Sequence, residues 1–87
     1  MISRVTKKFW ALYQALPRVI QERADKAYQL WKNDPHSPGL QFKRVDPEEP
    51  VYSVRIGRDY RALGVLRGDT ITWFWIGKHE IYNRILR

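Results

Sequence analysis

Apolar residues change their spacing along this chain. Between Thr6 and Asn33 they recur every three or four positions: Phe9, Leu12, Tyr13 and Leu16, then Ile20, Ala24, Ala27, Tyr28 and Trp31. That is the period of a helix with one buried face. Thr6 stands where an N-cap belongs, Pro17 ends the first helix or opens the second, and Asn33-Asp34-Pro35 stops the second. Glu22 and Lys26 form an i, i+4 pair on its wet side. Two helices joined this tightly make an antiparallel hairpin. After the loop at 33–39 the period falls to two. Leu40–Val45 alternates, and after a second loop Tyr52, Val54 and Ile56 alternate with Ser53 and Arg55. Tyr60–Leu66 is the next strand, Arg67-Gly68-Asp69 a hairpin turn, and Thr70–Ile76, apolar on both faces, a central strand. Residues 2–5 suit a short strand before the helices, and Ile81, Tyr82, Ile85 and Leu86 suggest a short terminal helix. The fold class is α+β: a helical hairpin on a twisted, mainly antiparallel sheet, β-α-α-β-β-β with a short C-terminal helix, in one domain spanning residues 1–87.

Parity orients the sheet. An odd number of loop residues around Gly57-Arg58-Asp59-Tyr60 puts Arg55 and Arg61 on one face with Leu63. A two-residue loop would place Arg61 beside Val54 and Ile56, where burying a guanidinium is costly. The odd loop is therefore expected, and a two-residue Gly68-Asp69 turn then adds Thr72, Phe74 and Ile76 to the arginine face. Tyr52, Val54, Ile56, Ala62, Gly64, Leu66, Ile71, Trp73 and Trp75 are left as the floor for the helices. Gly64 gives room there to a tryptophan or a helix. Phe74 stays open between core and surface, since the terminal helix can cover it.

Composition narrows the function. Twelve aromatic residues supply the buried area that a chain of 87 residues needs, and with no cysteine there is no disulfide, thiol nucleophile or thiolate metal site. No apolar run approaches the roughly 20 residues that span a membrane, and the start lacks the apolar segment of a signal peptide, so the expectation is a cytoplasmic protein without a membrane partner. The net charge of +7 is relatively stronger from residue 51 on, with seven basic and three acidic side chains against nine and six before it. Such an excess suits a polyanion or an acidic protein, and it would repel a second copy, so the free chain is expected to be monomeric.

At this point the sequence resembles the RelE/ParE-like toxins of bacterial type II toxin–antitoxin modules. The resemblance is carried by Leu16-Pro17 between the helices, Tyr28 to Trp31-Lys32, Asp34-Pro35 with Leu40-Gln-Phe-Lys43, Tyr52-Ser-Val-Arg55-Ile-Gly57, Tyr60-Arg61-Ala-Leu, and the closing Trp73-Phe-Trp-Ile-Gly77-Lys78-His79-Glu-Ile-Tyr82. It covers nearly the whole chain, and its Tyr-Arg strand and terminal Gly-x-His-x-x-Tyr are the more specific parts. It implies a toxin blocked by a cognate antitoxin protein. It also implies one of two activities: cleavage of mRNA on the ribosome, or, in the ParE branch, inhibition of DNA gyrase without catalysis.

The residues themselves favour the nuclease. Cleavage needs a base for the ribose 2′-OH, cations for the phosphorane and an acid for the leaving 5′-oxygen, with no metal. The candidate catalytic residues are His79 as acid or base, Arg61 and Arg55 as forked donors to the phosphate, and Tyr82, one helical turn after His79, to stack on a base or hold a proton. Lys43 and Lys78 are candidate RNA-backbone contacts. By resemblance, Arg55 and Arg61 match the basic positions of the ribonuclease members, and His79 matches a position held by His or Arg. Ser53 departs from the pattern, standing where some of those members have lysine. Against these readings stand a surface or capping His79, and an Arg61 paired structurally with Asp59 or Glu80. No metal-ligand spacing or cofactor motif is present. A degenerate, non-catalytic module that binds antitoxin or RNA is the third reading.

Overall fold

The computed structural model describes residues 1–85. Five strands form one sheet in the order β1-β5-β4-β3-β2: β1 (Ile2–Val5), β2 (Lys43–Arg44), β3 (Val51–Ile56), β4 (Tyr60–Arg67) and β5 (Thr70–Lys78). β1 runs parallel to β5, and every other pairing is antiparallel. Two helices, α1 (Lys7–Gln14) and α2 (Arg18–Asn33), follow β1, and α3 (His79–Ile85) continues directly from β5. Leu86, expected in that last helix, lies outside the described residues.

Local chemistry accounts for the helix ends. The Thr6 hydroxyl accepts the Phe9 amide hydrogen at 3.0 Å, which caps α1. Pro17 begins α2 by accepting through its carbonyl from the amides of Ile20 and Gln21. Tyr13 ties the pair together, its hydroxyl donating to the Asp25 carboxylate at 2.7 Å and its carbonyl accepting from Gln21 Nε2 at 2.9 Å. Glu22 finds Arg18 rather than Lys26, at 3.6 Å, so that ion pair runs toward the start of α2.

The expected strand at Leu40–Val45 is mostly replaced. Pro38–Leu40 forms a 3-10 turn whose Leu40 is buried, Gln41 adopts positive φ, and only Lys43–Arg44 pair with β3. A left-handed residue inside the alternating run breaks the extended backbone there.

The helix-facing core joins Ala24 and Trp31 of α2 to Val54, Ile56, Ala62, Ile71, Trp73 and Ile76 of the sheet. Trp31 anchors it, edge-on to Trp73 at 5.4 Å and to Phe42 at 5.8 Å. Gly64 makes room for this packing: a Cβ there would lie 2.8 Å from the Trp73 ring.

A second, smaller cluster lies on the other face of the sheet, formed by Leu63, Trp75 and Tyr82 with half-buried Leu12 of α1, Val45, Val51 and Phe74 against it. Its existence corrects the expected facing of β5. From the turn, Arg67 pairs with Thr70 and Gly64 with Trp73, as a two-residue turn dictates. A β-bulge between Leu63 and Gly64 then shifts the register, so that Leu63 opposes Trp75 and Ala62 opposes Ile76. Beyond the bulge every residue changes side. Trp75, expected beneath the helices, therefore lies on the arginine face, and Ile76, expected on the arginine face, is buried beneath them. Gly77 accommodates the change, since a Cβ on it would sit 2.7 Å from the Trp75 ring.

Candidate functional site

The site is built on the β3–β4 hairpin. Its loop is Gly57-Arg58-Asp59, three residues, so Arg55 and Arg61 fall directly opposite one another across the ladder. Both are half-buried, and both guanidinium groups are held by carbonyls of the same turn. Arg55 Nε donates to Gly57 at 3.0 Å, and Arg61 Nη1 donates to Tyr60 at 2.7 Å. Neither has a carboxylate within ion-pairing distance among the described residues, so the rival structural pairing of Arg61 with Asp59 or Glu80 is absent there. Burial lowers the Arg61 pKa from its ordinary value, and the Arg55 charge adds to that effect; Tyr82 and Asp59 oppose it. Two like charges in register oppose folding unless an anion or solvent relieves them. Side by side, the two guanidinium groups are chemically able to bind an anion.

β5 and α3 supply the rest. Opposite Arg61 stands Gly77, and two residues later His79 opens α3, its amide donating to the Asp59 carbonyl at 2.7 Å. That bond ties the histidine backbone to the turn carrying the arginines. The imidazole is half-buried and stacks on Tyr82, with ring centroids 5.4 Å apart and planes 27° from parallel. Tyr82 itself is 8% exposed, packed with Leu63 and Trp75. It supports His79 and the ring cluster from beneath and presents little surface on which a base can stack. Arg55, Arg61, His79 and Tyr82 thus share one side of the sheet, opposite α2, while α1 reaches both cores through Leu12.

The lysines divide. Lys43 is exposed on edge strand β2 and pairs with Ser53, on the arginine face but two strands from Arg61. Lys78 is exposed too, but it pairs with Tyr60 of the helix-facing set and so leaves β5 on the side away from Arg61. Ser53 is 2% exposed and adds no charge. Sequence reasoning missed the ring cluster of Trp75 and Leu63 that floors the site. A signal for it was present in Gly77, two residues after Trp75, where a bulky ring needs an absent Cβ.

The other face holds a different feature. An apolar cleft of about 380 Å³ opens between α1, α2, β1 and the sheet, lined by Trp10, Tyr13, Trp31, Trp73 and neighbours, with Ser3 and Asp25 as its few polar groups. Val5 and Trp10 beside it are about half exposed. It is remote from the arginines.

The sequence model of the ParE-like toxin domain matches residues 18–84. No curated protein sequence matches the chain. Solved structures share its fold. The RelB–RelE antitoxin–toxin complex from Methanococcus jannaschii is 23% identical, with 93% of this chain and 96% of that chain covered and a TM-score of 0.70. The YoeB/ParE toxin from Agrobacterium tumefaciens is 16% identical, with 91% and 99% covered and a TM-score of 0.71. YafQ from Escherichia coli is 8% identical, with 92% and 94% covered and a TM-score of 0.74.

Proposed function

Since the chain belongs to the family of ParE-like toxin domains, we propose that it is the toxin of a toxin–antitoxin pair and that it cleaves mRNA on the ribosome through the Arg55–Arg61–His79 face. The observation that carries this reading is the pair of unneutralised arginines in register beside a histidine fixed to their turn. The guanidinium of Arg61, with Arg55 beside it, binds the scissile phosphate and the charge that builds on the phosphorane. The ribose 2′-oxygen, losing its proton to a base, attacks phosphorus; the 5′-oxygen departs and takes a proton from an acid. His79 serves one of these two proton transfers. The products are a 2′,3′-cyclic phosphate and a 5′-hydroxyl end. Tyr82 holds the imidazole by stacking, and Lys43 contacts RNA from the periphery; Lys78, which leaves β5 on the side away from Arg61, takes no part.

The partner in the resting cell is a cognate antitoxin, as in the RelB–RelE complex. The apolar cleft on the helix face, with Val5 and Trp10 exposed beside it, offers such a partner an apolar anchoring surface. Among the described residues no helix is long and apolar enough to cross a membrane. The proposed compartment is the cytoplasm, and the proposed free state is a monomer in a single domain.

One observation favours a second reading, gyrase inhibition without catalysis: buried Ser53 leaves the basic cluster one charge short of the ribonuclease pattern. Primer-extension mapping of cellular mRNA after a brief pulse of expression separates the two. In-frame cuts, lost in His79→Ala and Arg61→Ala by about 100- to 10,000-fold, are expected. DNA damage with intact mRNA would make the gyrase reading correct, and absence of any growth effect would leave a passive binding module.

A further inference from the structure

The β-bulge does more than relocate Trp75. It leaves Phe74 as the extra residue, half-buried on the arginine face and packed at the edge of the Leu63–Trp75–Tyr82 cluster. Beyond it, toward the β4–β5 turn, the same face carries a shallow open pocket whose lining includes Phe74 and the three threonines Thr6, Thr70 and Thr72. Two arginines flank this surface. Arg67 pairs with Thr70 from β4, and exposed Arg4 pairs with Thr72 from β1, which places both on the arginine side by register. Arg67 has only a 3.7 Å contact to Glu49, with both side chains largely exposed, a kind of pair that contributes little and yields readily to a better anion. Arg4 has no ion pair among the described residues.

An aromatic ring half-open on a sheet, hydroxyls around it and a cation on either side are the parts of a single-stranded nucleic-acid platform. Between this surface and Arg61, Leu63 and Trp75 are buried in the cluster with Tyr82 of α3, so a strand joining the two ends passes over that cover. We propose that the surface is a second RNA subsite, in which Phe74 stacks on a base, the threonine hydroxyls bond to base or ribose edges, and Arg4 and Arg67 bind flanking phosphates. The proposal rests on the nuclease reading and extends its substrate to a strand that runs from Arg61 over the Tyr82 cover toward the β4–β5 turn. From Arg61 to Arg67 the strand rises about 20 Å at ~3.3 Å per residue. A stacked strand at ~3.4 Å per nucleotide covers that distance with about six nucleotides. A trinucleotide therefore reaches one end only, whereas a nine-nucleotide RNA reaches both.

The test is a titration of the whole 87-residue chain with uncleavable 2′-O-methyl RNA of three and nine nucleotides, followed by amide chemical shifts and, for the longer RNA, by fluorescence anisotropy. Both RNAs are expected to shift amides around Arg61 and Gly77, and only the longer one those of Thr6, Thr70, Thr72 and Phe74. Phe74→Leu, which keeps apolar volume but not the ring, is expected to weaken the longer RNA by about 5- to 100-fold. Arg4→Gln and Arg67→Gln should each reduce the slope of log affinity against log salt by about 0.7. If the longer RNA shifts only the Arg61 end and these three variants bind it like the parent, the second subsite is overturned while the nuclease reading stands. If neither RNA shifts any amide on this face, both fall.

Discussion

Arg55 and Arg61 oppose each other in register without a carboxylate among the described residues. Like charges facing across a ladder destabilise it by about 0.2–1 kcal/mol, and Arg61 is partly desolvated as well. Arg55→Gln and Arg61→Gln are therefore expected to leave stability unchanged or raise it by up to about 1 kcal/mol while abolishing growth arrest. Urea unfolding of each variant checks this; a loss of stability with either would make that arginine a structural residue. Gly77 is constrained in the opposite sense. Gly77→Ala forces a Cβ to 2.7 Å from the Trp75 ring, and overpacking of this kind costs about 1–3 kcal/mol. The same ring supports Tyr82, on which His79 stacks, so activity is expected to fall along with the thermal midpoint. An unchanged midpoint would mean that the Trp75 ring moves freely.

Among the elements, the short ones depend most on their ends. α1 has eight residues, none of them fully buried, so its cap carries an unusual share of its stability. Thr6→Ala removes the acceptor for the Phe9 amide and is expected to cost about 1 kcal/mol. Thr6→Ser, which keeps the oxygen, should restore most of it, and thermal unfolding of the two variants separates a lost cap from lost packing of the methyl group. α1 was legible from Phe9, Leu12 and Tyr13, and its cap from Thr6, because both signals are local. β5 was legible as a strand, but its facing was not. Ile71-Thr72-Trp73-Phe74-Trp75-Ile76 is apolar on both sides, so no alternation marks where the register slips. The expected strand from Leu40 failed for a different reason: alternation was present, but Gln41 turned left-handed and let Leu40 enter the core.

Across the whole molecule, the sheet separates an apolar side that carries α2 from a basic side that carries α3 and the candidate site. The Tyr13–Asp25 bond joins α1 to α2 on the apolar side, and it holds the Tyr13 phenol above its ordinary pKa, first by the hydrogen bond and then by burial and the carboxylate charge. A raised folded pKa means that the folded state keeps the proton longer. The stability this bond contributes is fully present below about pH 10 and is lost as pH rises through the raised value. Tyr13→Phe should therefore be less stable than the parent at pH 8, with the gap closing above pH 10. Midpoints that stay equally far apart across that range would show that the hydroxyl bond contributes nothing to stability.

The sequence by itself determined the two amphipathic helices, the strands over Tyr52–Ile56 and Tyr60–Leu66, and the placement of Arg55 and Arg61 on one face. Each follows from a local period or from the cost of burying a guanidinium, which only an odd loop avoids. Only the tertiary structure decided which side Phe74, Trp75 and Ile76 occupy. That choice rests on the bulge between Leu63 and Gly64, on Gly64 making room for Trp73, and on Gly77 lying under Trp75. These are contacts between residues brought together by pairing, so they leave no period in the sequence. The ring cluster that floors the site and the half-buried position of Phe74 beside it both follow from that one-residue slip.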